Sequence, residues 1–259
     1  GKANSFIKHK NPSEVVYEKA KRRANPIPGD RSFDTTNPSS MNHIKLQLLS
    51  PEQCQTLLGK VSNGEWIDGK STAGTQARSG KINEQIKQSS PIRAEIHDFV
   101  QKAMWAHPAI KSFCVPRKLH RFLISRTRAG GGYDSHVDNA YMSSGRSDLS
   151  FTLCLSDRNS FTGGALEVDT LTDSLQLELQ QGEIVIYPSS SMHRVNKVTS
   201  GERIACVGWI ESYLKNEADR VTLFQLDTGA KGLLARHGRS EELDLVFLAY
   251  TNLLRSLGT

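Results

Sequence analysis

Residues 133–138 read Tyr-Asp-Ser-His-Val-Asp and lie in a region with the alternating pattern of a β-strand. On a strand, residues two apart project from the same face. His136 and Asp138 are two apart, so the pattern predicts that one imidazole and one carboxylate point toward a common place. A lone His-x-Asp triplet arises often by chance. It indicates a metal site only if further ligands lie elsewhere in the chain.

His193 and Arg203, which lie further along the chain, complete a pattern of four residues. His193 lies in residues 187–195, Tyr-Pro-Ser-Ser-Ser-Met-His-Arg-Val. On a neighbouring strand it would add a second imidazole, and two histidines with one carboxylate are the ligand set of non-haem Fe(II) oxygenases. Arg203 follows ten residues later and offers the fork of donors that binds a carboxylate. An ordinary surface ion pair is the alternative role for Arg203.

Several other polar residues compete for places in such a site. His107, His120 and His237 are the alternatives to His193, and His120 itself lies in a strand-like run. Three further residues have two alternative roles of equal weight. They contact either the substrate or the metal ligands, or they are purely structural. These three residues are Tyr133, Asn139 and Arg194.

Seven short segments carry a resemblance to a known family. They are Trp66-Ile-Asp-Gly, Thr72-Ala-Gly-Thr-Gln-Ala, His136-Val-Asp-Asn, Arg146-Ser-Asp-Leu-Ser, Gly163-Gly-Ala-Leu, Tyr187-Pro-Ser-Ser-Ser-Met-His-Arg-Val and Trp209-Ile-Glu-Ser. The chain resembles the Fe(II)- and 2-oxoglutarate-dependent dioxygenases of the prolyl 4-hydroxylase type, and among them the bacterial PKHD-type hydroxylases. The similarity runs from about residue 41 to near the C-terminus.

The resemblance implies an activity and its cofactors. The expected reaction hydroxylates an unactivated C–H bond with Fe(II) and 2-oxoglutarate, consumes O2 and releases succinate and CO2. Ascorbate is an optional further cofactor. The prolyl hydroxylases imply an amino-acid-like substrate, peptidyl or small, and the association of PKHD-type proteins with iron uptake suggests a siderophore or another small molecule. The alternative is a catalytically silent sensor that binds iron and 2-oxoglutarate, which predicts the loss of a ligand that this chain retains.

The resemblance also assigns roles to individual residues. His136, Asp138 and His193 are the expected metal ligands and catalytic residues, and Arg203 is expected to bind the distal carboxylate of 2-oxoglutarate. Many relatives have tyrosine where Thr127 stands in this chain. Thr127 is therefore assigned to cofactor binding as a shorter hydrogen-bond donor, and the identity of the second contact to 2-oxoglutarate stays open.

The predicted fold is mostly β with flanking helices, in the α+β class. Strand-like segments are residues 119–128, 149–155, 166–168, 175–179, 183–187 and 203–210. Many short strands between turn signals favour a sandwich or barrel. The resemblance selects a double-stranded β-helix, which is a jelly roll, with N-terminal helices behind it and a C-terminal helical segment.

Helix signals flank the predicted strands. Ser50-Pro51-Glu52-Gln53 has the sequence of a capping box with proline at the first helical position. A second helix is predicted from Pro91 to just before His107, and residues 66–80 are predicted to form a loop or lid. Beyond residue 212, helices are predicted at 213–226 and 241–257.

We therefore divide the chain into three parts. Residues 1–40 form a basic, flexible extension, residues 41–212 the dioxygenase domain with its supporting helices, and residues 213–259 a helical segment that packs on the core or forms a homodimer interface. The extension has eight basic and four acidic residues, so it holds most of the net charge of +6. A solvated tail is favoured over a contact with nucleic acid.

Composition and the cysteine pattern predict the cellular location of the protein. Hydrophobic residues make up 37% and charged residues 23% of the 259, as in soluble globular proteins. No apolar run approaches the ~20 residues that cross a bilayer, so no membrane partner is expected. The four scattered cysteines indicate buried thiols in a reducing compartment, and the N-terminus lacks an apolar signal segment. We expect a cytoplasmic location.

Overall fold

The computed structural model describes residues 42–72, 79–142, 144–170 and 173–259. The predicted extension at residues 1–40 lies outside the described residues, as does part of the predicted lid, residues 73–78. The three-part division of the chain therefore stays a prediction.

The described residues form five α-helices and fifteen strands. The helices are α1 (Pro51–Val61), α2 (Pro91–Ala106), α3 (Pro108–Cys114), α4 (Glu217–His237) and α5 (Glu241–Leu257). The strands are β1 (Ile44–Gln47), β2 (Trp66–Asp68), β3 (Lys81–Ile82), β4 (Glu84–Ile86), β5 (Pro116–Arg128), β6 (Gly132–His136), β7 (Tyr141–Met142), β8 (Gly145–Arg146), β9 (Leu149–Cys154), β10 (Phe161–Gly163), β11 (Leu166–Asp169), β12 (Ser174–Leu177), β13 (Glu183–Pro188), β14 (His193–Val195) and β15 (Val198–Ser212).

Two antiparallel sheets face each other. The larger has the order β1-β13-β9-β15-β5-β4-β2, with β10 paired to β15, and the smaller has the order β12-β11-β14-β6-β3. From β5 to β15 the chain crosses repeatedly between them, because β6, β11 and β14 belong to the smaller sheet and β5, β9, β13 and β15 to the larger. This alternation makes a jelly roll, and the predicted fold class is confirmed.

Strand β9 positions both the core and the cavity. Leu149, Phe151 and Leu153 are buried in the cluster that also contains the inward residues of α1 to α4. Ser150 and Thr152, which alternate with them, line the space between the sheets. The period-two pattern predicted for this segment is therefore confirmed, with an apolar face toward the helices and a face of small polar residues toward the cavity.

The first helix begins where it was predicted to begin, and the second has both of its predicted boundaries. Ser50 accepts a hydrogen bond from the Gln53 backbone N–H at 3.2 Å, and the Gln53 side chain accepts one from the Ser50 N–H at 2.8 Å. This capping box satisfies two donors that the helix itself cannot. Helix α2 begins at Pro91 and ends at Ala106, directly before His107.

Two local predictions were wrong, and one helix was missed. Residues 66–68 form strand β2 on the edge of the larger sheet, where the Arg126 guanidinium lies 4.1 Å from the Trp66 ring centroid. Helix α3 was not predicted. Helix α4 begins at Glu217 and not at residue 213, because the Asn216 side chain accepts hydrogen bonds from the backbone N–H groups of the first turn.

The packing of α4 predicts a large stability effect. Phe224 of α4 meets Phe113 of α3 edge to face, with ring centroids 5.3 Å apart, and both are buried. Phe224→Ala is expected to lower the free energy of unfolding by about 3–5 kcal/mol, measured by urea denaturation. Leu248→Ala, at a side chain that is 56% exposed, is the control and should change it by less than about 0.5 kcal/mol. Equal effects of the two substitutions would contradict the packing of α4 on the core.

Candidate functional site

A cavity of about 610 Å³ lies between the two sheets, which is a typical size for a small-molecule site. Thr127, Thr152 and Arg203 line it from the larger sheet, and Tyr133 and His193 line it from the smaller. The side chains that reach it therefore come from segments far apart in sequence.

Two histidines face each other across paired strands of the smaller sheet. His136 is the last residue of β6, His193 is the first of β14, and the two are direct partners in the antiparallel register. Their ring centroids are 4.3 Å apart. The strand pairing expected for His193 is thus present.

Asp138 joins these histidines by a different route from the one predicted. Strand β6 ends at His136, so Asp138 lies just beyond it and strand alternation does not orient its side chain. Its carboxylate oxygens nevertheless lie 3.8 Å from His136 Nε2 and 3.6 Å from His193 Nε2. One ligand atom from each of the three residues falls within 4.8 Å of the others, a spacing that fits a single metal ion.

Backbone contacts set the orientation of both imidazoles. Nδ1 of His136 lies 2.8 Å from the Asp134 carbonyl, and Nδ1 of His193 lies 3.0 Å from the Ser191 carbonyl. Donation from Nδ1–H to these oxygens leaves the Nε2 lone pairs free for a metal. Burial, and then the neighbouring His193, lower the pKa of His136, which keeps its ring in the neutral form that metals bind. Two neutral imidazoles and one carboxylate fit Fe(II).

Ser150 is a positioning residue that sequence reasoning did not single out. Its hydroxyl donates to Asp138 Oδ2 at 2.6 Å and lies 2.8 Å from the Ser189 hydroxyl. It belongs to one of the family-like segments, residues 146–150, but only the pairing of β9 beside the site brings it to Asp138. The Ser150 hydroxyl therefore orients the Asp138 carboxylate, a role that strand alternation was expected to have.

Removal of this hydroxyl is expected to weaken metal binding. Ser150→Ala should lower Fe(II) affinity about 10–100-fold, because groups that orient metal ligands have effects of that size. The measurement is a competition titration against a chelator. Ser189→Ala leaves the Ser150–Asp138 hydrogen bond in place and should have a smaller effect. A larger loss in Ser189→Ala than in Ser150→Ala would contradict this role.

Arg203 and Thr127 lie side by side at one end of the cavity. They are direct partners in the register of β15 with β5, and both are buried. Burial lowers the pKa of Arg203, although a guanidinium stays charged at neutral pH. Among the described residues none forms a salt bridge with it, and the alternative role as a surface ion pair is wrong. A buried cation without a carboxylate partner is costly, so its surroundings fit the distal carboxylate of 2-oxoglutarate.

The remaining candidate residues differ in whether they line the cavity. Tyr133 stacks on the His136 ring with centroids 3.8 Å apart, and Asn139 also lines the cavity. Arg194 is exposed and pairs with Glu167. His120 is buried outside the cavity, with its Nε2 3.0 Å from a carboxylate oxygen of Glu211.

The chain is similar to known proteins over most of its length. A PKHD-type hydroxylase of Synechococcus sp. (strain CC9311) is 61% identical over 219 residues, which cover 84% of this chain and 100% of the relative. The chain belongs to the PKHD-type hydroxylases. A second member, from Prochlorococcus marinus (strain MIT 9303), is 50% identical over 221 residues, which cover 85% of this chain and 95% of the relative. The family model of the 2OG-Fe(II) oxygenase superfamily matches residues 122–211, which contain every predicted ligand.

The PKHD-type assignment confirms several predictions. The predicted resemblance is correct, and the protein is a 2-oxoglutarate-dependent dioxygenase of a family that uses iron. A prolyl hydroxylase from Trichoplax adhaerens, solved in complex with a hypoxia inducible factor peptide fragment, is 12% identical and superposes with a TM-score of 0.53 over 83% of this chain and 97% of that chain. At this identity the likeness supports the jelly-roll fold alone. In the described part of the chain, no helix has the length and apolar content to cross a membrane.

Proposed function

We propose that this protein hydroxylates an unactivated C–H bond of an amino-acid-like substrate, using Fe(II) held by His136, Asp138 and His193. One observation carries the proposal. Three ligand atoms that fit one ion lie in the same cavity as Arg203, a buried arginine without a salt-bridge partner among the described residues. When bound, iron and 2-oxoglutarate supply the activation of O2, with succinate and CO2 as products.

The residues of the chain hold iron and 2-oxoglutarate in position and balance their charges. His136 and His193 present their Nε2 atoms, and the Asp138 carboxylate offsets part of the charge of a divalent ion. Arg203 neutralises the distal carboxylate of 2-oxoglutarate. Thr127 is the proposed second contact, since its side chain is buried at the next position across the sheet. His193 and Arg203 are buried, which limits the access of water to this part of the cavity.

Oxygen-dependent conversion of 2-oxoglutarate tests the proposal. Protein loaded with Fe(II) should form succinate from 2-oxoglutarate only when O2 is admitted, with CO2 released in equal amount. Ascorbate is proposed to sustain this turnover. Binding of both Fe(II) and 2-oxoglutarate without any succinate, in every substrate mixture tried, would favour the silent sensor instead.

The Trichoplax adhaerens structure contains a peptide, and this is a property of that protein. We propose an amino-acid-like substrate of either kind. Cytoplasmic location, the absence of a nucleic-acid partner and homodimer formation through the C-terminal helices stay predictions.

A further inference from the structure

The cavity has more positive charge than the proposed cofactors neutralise. Among the described residues that line it, the cations are Lys81, Arg121 and Arg203, and the only carboxylate is that of Asp138. A divalent ion would be balanced by Asp138 and the metal-bound carboxylate of 2-oxoglutarate, and Arg203 by its distal carboxylate. Lys81 and Arg121 are then left without a counter-charge.

Arg121 occupies a backbone conformation that few residues other than glycine adopt. Its φ is +42°, in the left-handed region. The cause lies in the pairing of β5 with β15, where two β5 residues, Arg121 and Phe122, stand opposite the single residue Gly208. Such a β-bulge re-aims a side chain, and strained residues of this kind concentrate at functional sites. Here Arg121 lines the cavity while Phe122 is buried in the core.

Lys81 approaches the same cavity from the facing sheet. It belongs to β3, it is only 5% exposed, and its ammonium group lies 3.2 Å from the Thr72 hydroxyl and 5.1 Å from the centroid of the Tyr133 ring. None of the described carboxylates forms a salt bridge with it. Burial, the largest effect, lowers the pKa of Lys81 to about 8; the charge of Asp138 opposes this shift, Arg121 adds to it and Asp68 opposes it. A lysine so placed gains from a bound anion.

Both carboxylates of a single 2-oxoglutarate are already assigned in this arrangement, one to the metal and the distal one to Arg203. Arg121 is six residues along β5 from Thr127, the partner of Arg203, so the two arginines come from different positions of the β5–β15 pair.

We infer that Lys81 and Arg121 bind a carboxylate of the primary substrate. This inference rests on the proposed function, because the charge balance assumes that iron and 2-oxoglutarate occupy the cavity. An arginine fork and an ammonium group together suit the two oxygens of a carboxylate. The carboxylate belongs either to the terminal carboxyl group of an amino acid or peptide, or to an acidic side chain within a peptide.

Matched probes can test this without knowledge of the natural substrate. The protein is loaded with Mn(II) in place of Fe(II) and with saturating 2-oxoglutarate, so that no turnover occurs. N-acetylglycine is compared with N-acetylglycinamide, and acetyl-Gly-Asp-Gly-amide with acetyl-Gly-Asn-Gly-amide. Paramagnetic broadening of the acetyl methyl signal by Mn(II) reports binding inside the cavity even at millimolar affinity. The variant is the double substitution Lys81→Met and Arg121→Met, and its charge-matched control is Lys102→Met with Arg236→Met, two exposed residues on helices.

At least one carboxylate probe should bind about tenfold more tightly than its amide. That preference should disappear in the Lys81/Arg121 variant and persist in the control. The pair of probes that shows it distinguishes a terminal carboxyl group from an acidic side chain. Equal binding of acid and amide in both pairs, including no binding of either, would overturn the inference, as would a preference that survives in the variant. Failure of 2-oxoglutarate to bind the Mn(II)-loaded wild-type protein would instead reject the proposed function.

Discussion

His193→Ala is expected to reduce the oxygen-dependent conversion of 2-oxoglutarate to succinate by at least about 100-fold. Changes to groups that only orient metal ligands have effects of about 10–100-fold, and loss of a ligand itself should exceed them. The substitution leaves His136 and Asp138 as an incomplete pair. Fe(II) affinity, measured by competition against a chelator, should fall together with the rate.

A second histidine provides the control for this prediction. His237 lies in the last turn of α4 and is exposed, so His237→Ala should leave both the rate and the Fe(II) affinity unchanged. Equal losses in the two variants would point to a general loss of folded protein. Full activity of His193→Ala would remove this residue from the metal site and leave the cavity without its third ligand.

Arg203→Met is expected to raise the KM for 2-oxoglutarate at least about 30-fold. Loss of one partner from a buried, hydrogen-bonded charge pair costs about 2–5 kcal/mol, and each 1.4 kcal/mol is a factor of ten. Fe(II) affinity should stay near the wild-type value, because Arg203 contacts none of the proposed ligands. Arg203→Lys should recover part of the affinity, since it keeps the charge and loses the fork.

Stability distinguishes this role from a structural one. Arg203 is buried without a salt-bridge partner among the described residues, so methionine of similar length should leave Tm unchanged or raise it in the absence of 2-oxoglutarate. A structural arginine would give the opposite result. Its loss would lower Tm by several degrees while KM for 2-oxoglutarate stayed the same.

The part of the site that was predictable from sequence depends on patterns within short segments. His136 with Asp138, and His193 followed by Arg203, are each close in sequence, and the strand-like segments around them predicted that His193 lies on a strand next to that of His136. The jelly roll followed from many short strands and from the family resemblance. Strand alternation predicted that His136 and Asp138 point to a common place; the two side chains do lie close together, but not through alternation, because β6 ends at His136.

The features that were not predicted from the sequence depend on the register between strands that are far apart in the chain. Ser150 contacts Asp138 only because β9 pairs between β13 and β15, and no local pattern contains that alignment. The bulge at Arg121 arises from a single extra residue in β5 opposite Gly208. The edge strand at Trp66 was predicted as loop because its polar neighbours obscure a pairing that β4 supplies.

The most direct test of the account is an anaerobic titration of the metal-free protein with Fe(II) and 2-oxoglutarate, followed by visible absorbance as O2 is admitted. We predict a weak band that requires both additions, decays with the formation of succinate, is lost in His193→Ala and is much weaker in Arg203→Ala. A wild-type protein that binds Fe(II) and 2-oxoglutarate elsewhere, with the same band in both variants, would contradict the assignment of this cavity as the active site.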